Sequence, residues 1–156
     1  MTQQELTAYI LANYDGKLTL LDTGRAEPMF ELKPDDLLEV TRRFRDDPQL
    51  KFDFLCNMGG VDTGQRMEVV YSIASTTQHL RMDFKLVLGY ENPSIETITE
   101  IWPAANWYER EMYELYGIEV KNHPDMRPLL LPEDWNQGFP MRKNWDAPDF
   151  IRMPEL

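Results

Sequence analysis

Residues 102–135 read WPAANWYEREMYELYGIEVKNHPDMRPLLLPEDW, and the organisation of the protein turns on the change of character inside this stretch. Its first half keeps helical spacing from Ala104 to Tyr116 and stops at Gly117, a residue suited to the left-handed position that ends helices. Its second half is broken by prolines at a spacing in which neither a long helix nor a central strand survives. Three of the four tryptophans fall within the stretch, and six of the eleven prolines (Pro124, Pro128, Pro132, Pro140, Pro148 and Pro154) occupy the last 33 residues. Yet Met126, Leu129, Leu130, Leu131, Trp135, Phe139, Trp145, Phe150 and Ile151 make that region too apolar for a free tail. The expectation is an α+β core domain over 1–117 and an extended tail over 118–156, held against its own sheet or against another subunit.

Working back toward the N-terminus, Thr2 and Glu5 form a capping box ahead of a helix carrying Leu6, Tyr9, Ile10 and Tyr14, which Gly16 stops. Lys17–Asp22 and Met29–Leu32 read as a hairpin. Pro34 suits the first turn of a second helix, whose buried stripe is Leu37, Leu38, Val40, Thr41 and Phe44 and which Pro48 ends. Three strands follow: Lys51–Cys56, with Phe52, Phe54 and Cys56 on one face, then Arg66–Ala74 and Leu80–Leu88. Gly59, Gly60, Asp62 and Gly64 read as the turn after the first of them. Asn92-Pro93-Ser94 is read as opening a helix to about Ile101, which Pro103 breaks. The order α-β-β-α-β-β-β-α predicts a two-layer α+β fold, with helices on one face of a mixed or antiparallel sheet and a proline-rich C-terminal strap.

Composition narrows the partners. The formal net charge of −11 argues against nucleic acid or anionic lipid as the main ligand. Nothing at the start resembles a signal peptide, and no stretch approaches the length of apolar sequence that direct membrane insertion requires. The single cysteine, Cys56, excludes an internal disulfide, fits a reducing compartment, and cannot by itself hold an iron–sulfur cluster. Zinc spacing, a phosphate-binding loop and a dinucleotide fingerprint are all missing from the sequence, so no cofactor or metal site is expected. Cys56, His79 and His123 are far apart in sequence and show no local nucleophile–base pattern.

The triplet Glu109-Arg110-Glu111 is the remaining candidate for chemistry. On the predicted helix, Ala105, Tyr108, Met112 and Leu115 form the apolar stripe facing the sheet, while Trp107, Glu111 and Glu114 share another face. Arg110 lies within reach of Glu114, four residues on, and Glu109 lies near Tyr113 and Tyr116. Three readings follow. One is a solvated face with local ion pairs, worth a few tenths of a kcal/mol each. A second is a set of buried charges anchoring the tail, for instance a carboxylate receiving Arg127 or Arg142. The third is a catalytic pair, Glu109 and Glu111. His123-Pro124 fits a loop histidine bonding a backbone group, with a proton-carrying role as the alternative. Arg142-Lys143 could meet an anion or a partner's carboxylates.

Taken in order, these features resemble one family. Glu109-Arg110-Glu111 on an aromatic helix, Tyr116-Gly117-Ile118, His123-Pro124, the run Leu129–Leu131 and Pro140-Met141-Arg142-Lys143 together look like the thirty-kilodalton subunit of respiratory complex I, the C component of the bacterial NADH:quinone oxidoreductase. Glu114 takes the acidic place near the triplet, and GFPMRK stands where a histidine before Pro-Leu-Arg-Lys is more typical. The LLLPEDW run also resembles the equivalent subunit of membrane-bound energy-converting nickel–iron hydrogenases. The resemblance implies a non-catalytic structural subunit without a redox centre, on the cytoplasmic side of the cell membrane. Its implied partners are the large subunit bearing the quinone site, or the nickel–iron site in the hydrogenases, and other subunits of the peripheral arm. The tail is then a docking strap. Trp107, Glu109, Arg110, Glu111, Glu114, Tyr116, Gly117, His123, Pro124, Arg127, Pro140, Arg142 and Lys143 form the partner-binding or structural signature.

Overall fold

A computed structural model describes residues 1–147 together with 149, 151 and 154. Pro148 and Phe150, which the sequence groups with the tail, lie outside the described residues. The protein runs α1 (Gln3–Asn13), β1 (Leu18–Leu21), β2 (Met29–Leu32), a 3-10 turn at Pro34–Asp36, α2 (Leu37–Asp46), β3 (Phe54–Asp62), β4 (Met67–Ser75), β5 (Leu80–Leu88), β6 (Ser94–Glu96), α3 (Ala105–Tyr116) and β7 (Glu119–Lys121). The first five strands form a mixed sheet in the order β1-β2-β5-β4-β3, and β6 and β7 form a second, parallel pair. Only β2 and β5 run parallel within the main sheet, with Phe30 opposite Phe84 and Leu32 opposite Leu86. The α+β class and the element order through β5 are as the sequence predicts, including the capping box in which Thr2 Oγ1 accepts the Glu5 amide and Glu5 accepts the Thr2 amide.

Strand alternation explains why the helices share one face. Met67, Val69, Tyr71 and Ile73 of β4 and Leu80, Met82, Phe84 and Leu86 of β5 are buried on the inner side. There Tyr71 stacks on Phe84 with centroids 4.5 Å apart, and Phe44 of α2 packs 5.9 Å from Phe84 and from Phe52. The alternate residues carry polar pairs on the outer side: Glu68 meets Arg66 and Lys85, and Asp83 meets Arg25 and Ser72. A sheet with one wet face needs this alternation of apolar and polar residues.

Two segments differ from the sequence-based expectation. The strand predicted over Lys51–Cys56 lies later, at Phe54–Asp62; Phe52 is buried whereas Phe54 is 54% exposed. A register shift between Leu55 and Asn57 interrupts the alternation at Cys56. Gly59 and Gly60 are therefore strand residues opposite Val70 and Val69, and the turn is made by Thr63-Gly64-Gln65, with Gly64 at φ +86°. Gly60 serves packing: a Cβ there would sit 2.9 Å from the Tyr116 ring and 3.2 Å from Met112, so α3 rests directly on the β3 backbone. The second difference is Asn92–Ile101, which forms β6 and a turn instead of a helix. Its residues Ile95, Thr97, Ile98 and Thr99 are β-branched and poor helix formers. The parallel partner that makes the segment a strand, Glu119–Lys121, lies beyond α3 and is invisible to a local reading.

Candidate functional site

α3 packs on β3, and residues 127–131 of the tail dock on α3. Its start is fixed by Trp102, whose indole N–H donates to the Phe52 carbonyl at 2.9 Å, and its end by Gly117 at φ +68°. The Phe139 ring covers Gly117 so closely that a Cβ there would collide with it. A helix end leaves carbonyls without partners, and here the tail supplies them. The Met141 amide donates to the Leu115 carbonyl at 3.0 Å and Arg142 Nε to the Tyr116 carbonyl at 2.6 Å. The Arg142 guanidinium also lies over the rings of Tyr90 and Phe139, a cation at the negative end of the helix.

The charged residues of α3 divide by direction. Glu109 is wholly buried; it accepts the Ile98 amide at 2.8 Å and the Thr97 hydroxyl at 2.6 Å, and His123 Nε2 lies 3.6 Å from it. Burial pushes its carboxyl up to about 7, against the opposing pull of the Ile98 and Thr97 hydrogen bonds. The Asp125 amide donates to His123 Nδ1, so the ring proton faces the Asn106 carbonyl and Glu109 from Nε2. Arg110, 6% exposed, donates from Nε to the Arg127 carbonyl and from Nη2 to the Pro128 carbonyl, at 3.0 and 2.9 Å. Glu114, 8% exposed, accepts the amides of Leu129, Leu130 and Leu131 at 3.1, 2.7 and 3.3 Å. Two opposite charges one turn apart thus grip the backbone of residues 127–131 from both its donor and its acceptor side.

This geometry corrects several expectations. Arg110 and Glu114 do not pair with each other; each spends its charge on the tail backbone. Neither Arg127 nor Arg142 reaches a carboxylate on α3: Arg127 pairs with exposed Asp125, and Arg142 takes a carbonyl. Of the predicted apolar stripe, Ala105 and Met112 are fully buried, whereas Tyr108 and Leu115 are only partly so. Glu109 and Glu111 share no pocket, since Glu109 is sealed inside and Glu111 is exposed. Trp107, Glu111 and Tyr108 instead line a groove of about 770 Å³ with Pro103, Ala104, Leu129 and Leu130. Pro124 is exposed and Pro140 partly buried. Lys143 contributes its amide, which donates to Asp62 Oδ2 at 2.8 Å. Among the described residues no group of three or more His, Cys, Asp or Glu is placed to hold a metal ion, and no helix is long and apolar enough to cross a membrane.

Residues 30–150 match the family described as the respiratory-chain NADH dehydrogenase 30 kDa subunit. The chain belongs to that family. Among its relatives, the C subunit of NADH-quinone oxidoreductase from Roseiflexus sp. (strain RS-1) is 41% identical over 116 residues, covering 72% of this chain and 66% of that one. The C subunit of F(420)H(2) dehydrogenase from Methanosarcina mazei is 46% identical over 100 residues, 63% of each protein. The chain spans about half to two thirds of the length of several such relatives. A solved trypsin-resistant fragment of Nqo5, residues 1-134, superposes with a TM-score of 0.68 at 25% identity, covering 80% of this chain and 99% of the fragment. A protein from an archaeal membrane-bound sulfane sulfur reductase shares the fold, with a TM-score of 0.78 at 20% identity over 92% of this chain and 85% of that one.

In this member of the 30 kDa subunit family, Asp62 is an anchor of the tail whose role the sequence reading missed. It closes β3, accepting the Gly64 amide, the Tyr90 hydroxyl and the Lys143 amide. Burial pushes its carboxyl up, but the Lys143 and Gly64 amides and the Tyr90 hydroxyl outweigh it and hold it below the usual range. Only a plain turn motif, Asp-Thr-Gly, marked it in the sequence.

Proposed function

We propose that the protein is a non-catalytic structural subunit of the peripheral arm of a complex I-type NADH:quinone oxidoreductase, docking on the large subunit that bears the quinone site. Its curated relatives carry the name of that enzyme's C subunit. The observation that carries the structural role is the use α3 makes of its charges. Arg110 and Glu114 are consumed in holding residues 127–131, and Glu109 is sealed beneath them. A helix arranged in this way positions a segment and leaves no acid–base pair facing a common cavity. The tail it positions keeps Leu130, Phe139 and Met141 substantially exposed, as a strap that meets a partner would.

A second reading draws on the Methanosarcina relative, whose identity of 46% exceeds the 41% of the Roseiflexus protein. It keeps the same scaffolding role in a complex fed by a donor other than NADH. Affinity purification of the tagged protein from its native membranes, with mass spectrometry of co-purifying proteins, tests both. An NADH-oxidising flavoprotein with a quinone-site large subunit is the expected company. An F420H2-oxidising partner selects the second reading, and a nickel–iron large subunit moves the protein to the hydrogenases. Recovery of the protein alone, folded and active as an enzyme, sinks the scaffold proposal.

A further inference from the structure

Trp107 and Leu130 are 68% and 61% exposed, and both line the groove between α3 and the tail. Both walls are preformed. Trp107 projects from a helix packed on β3, and the Leu130 amide is pinned at 2.7 Å by the buried Glu114 carboxylate. A rigid apolar cleft binds with little ordering cost, and exposed tryptophan is the side chain that most often anchors an interface. Glu111 lies one helical turn beyond Trp107 and lines the same groove. It makes no hydrogen bond or ion pair among the described residues, whereas its neighbours on α3, Arg110 and Glu114, are both engaged by the tail backbone.

We infer that this groove receives an arginine of the partner protein, flanked by an apolar side chain, with the guanidinium between the Trp107 ring and the Glu111 carboxylate. An indole face beside a free carboxylate suits a planar guanidinium better than an ammonium, because the ring takes its flat face and the carboxylate its N–H edge. The neighbouring apolar side chain enters between Tyr108, Leu129 and Leu130. The net charge of −11 favours the approach of a cationic partner surface, and Glu111 is the charged residue lining the groove it would meet. The inference rests on the proposal that the protein assembles with a protein partner, and it specifies where and by what chemistry.

The test uses the full tagged protein expressed in its native host. A photo-crosslinking amino acid at position 107 should capture a partner peptide that contains an arginine. Glu111→Arg and Leu130→Asp should each lower partner recovery about tenfold or more, whereas Phe54→Ser on the outer face of the sheet should leave it near wild type. Glu111→Gln should have a smaller effect than Glu111→Arg. Reversing the captured arginine to glutamate should restore recovery with Glu111→Arg. Thermal unfolding near the wild-type midpoint for these exposed substitutions separates loss of binding from loss of fold. Crosslinking within the protein, to a second copy of it, or to a partner segment without arginine overturns the inference, as does wild-type recovery with Glu111→Arg and Leu130→Asp. If the unmodified protein recovers no partner at all, the scaffold reading itself falls, and that result is distinct from a partner recovered without use of the groove.

Discussion

Along β4 and β5 alternate residues are buried beneath the helices, whereas after Val120 no described residue is buried as a whole, although the His123 imidazole is. The sheet is held by area. Its inner face is a continuous set of aliphatic and aromatic side chains, each contributing through contact and none through a unique partner. The tail is held by a few directed bonds from Arg110, Glu114, Arg142 and Asp62 to backbone groups. These two modes of attachment fail differently. A packed core tolerates swaps that conserve volume, while a segment held at a few points depends on each gripping residue, whether that residue lies on α3 or, like Arg142, in the tail itself. Between those points Leu130 and Met141 stay exposed and available for another surface.

The sharpest way to break the contrast is to weaken the sheet alone. Phe84→Ala, at the centre of the Tyr71, Phe44 and Phe30 contacts, should cost about 3–5 kcal/mol in urea unfolding. The tail amides should lose protection only in step with that global loss.

Glu109 lies at the seam between the two regions, and its effect should be nearly as large. Its carboxyl is raised from 4.5 to about 7 in the folded protein, first by burial. Between those values the folded protein holds a proton that the unfolded chain has released. Stability should therefore be highest below the lower value and fall as pH rises through the window, by roughly 3 kcal/mol. Glu109→Gln should flatten that slope, as urea titrations at about pH 5 and about pH 8 would read. An unchanged slope would mean that Glu109 stays hydrated.

Glu114→Ala should act on the tail alone. Removing the acceptor shared by three amides should reduce hydrogen-exchange protection at Leu129, Leu130 and Leu131 by about 1–3 kcal/mol. The amides of Tyr71 and Phe84 should exchange as before; equal loss at both places would erase the distinction between sheet and tail. The smallest effect belongs to Tyr71→Phe. The Tyr71 hydroxyl is buried with no hydrogen-bond partner among the described residues, so deleting it should leave the unfolding free energy within about 1 kcal/mol of wild type, or raise it. A large loss would reveal a partner for that hydroxyl.

Much of this architecture was legible in the residues. The capping box at Thr2, the alternation in Leu80–Leu88, the stop at Gly117 and the clustering of prolines after it are local signals, because capping, strand faces and helix termination depend on neighbours within about four positions. They determined the α+β class, the order of elements through β5 and the end of α3 at Gly117, though β7 follows it. Reading Gly59-Gly60 as a turn failed because a glycine that permits close approach looks the same in sequence as one that turns the backbone. Only the Tyr116 ring against Gly60 tells them apart. The segment Ser94–Glu96 became a strand because Glu119–Lys121 returns beside it, a contact across the whole of α3. The direction of each charge in the Glu109-Arg110-Glu111 triplet was likewise undecided by spacing, since neighbours on a helix point about a hundred degrees apart and the sequence does not say which direction is inward. Tertiary packing made that choice. It buried Glu109 under Ile98, gave Arg110 and Glu114 the backbone of the tail, and left Glu111 with Trp107 at the open groove.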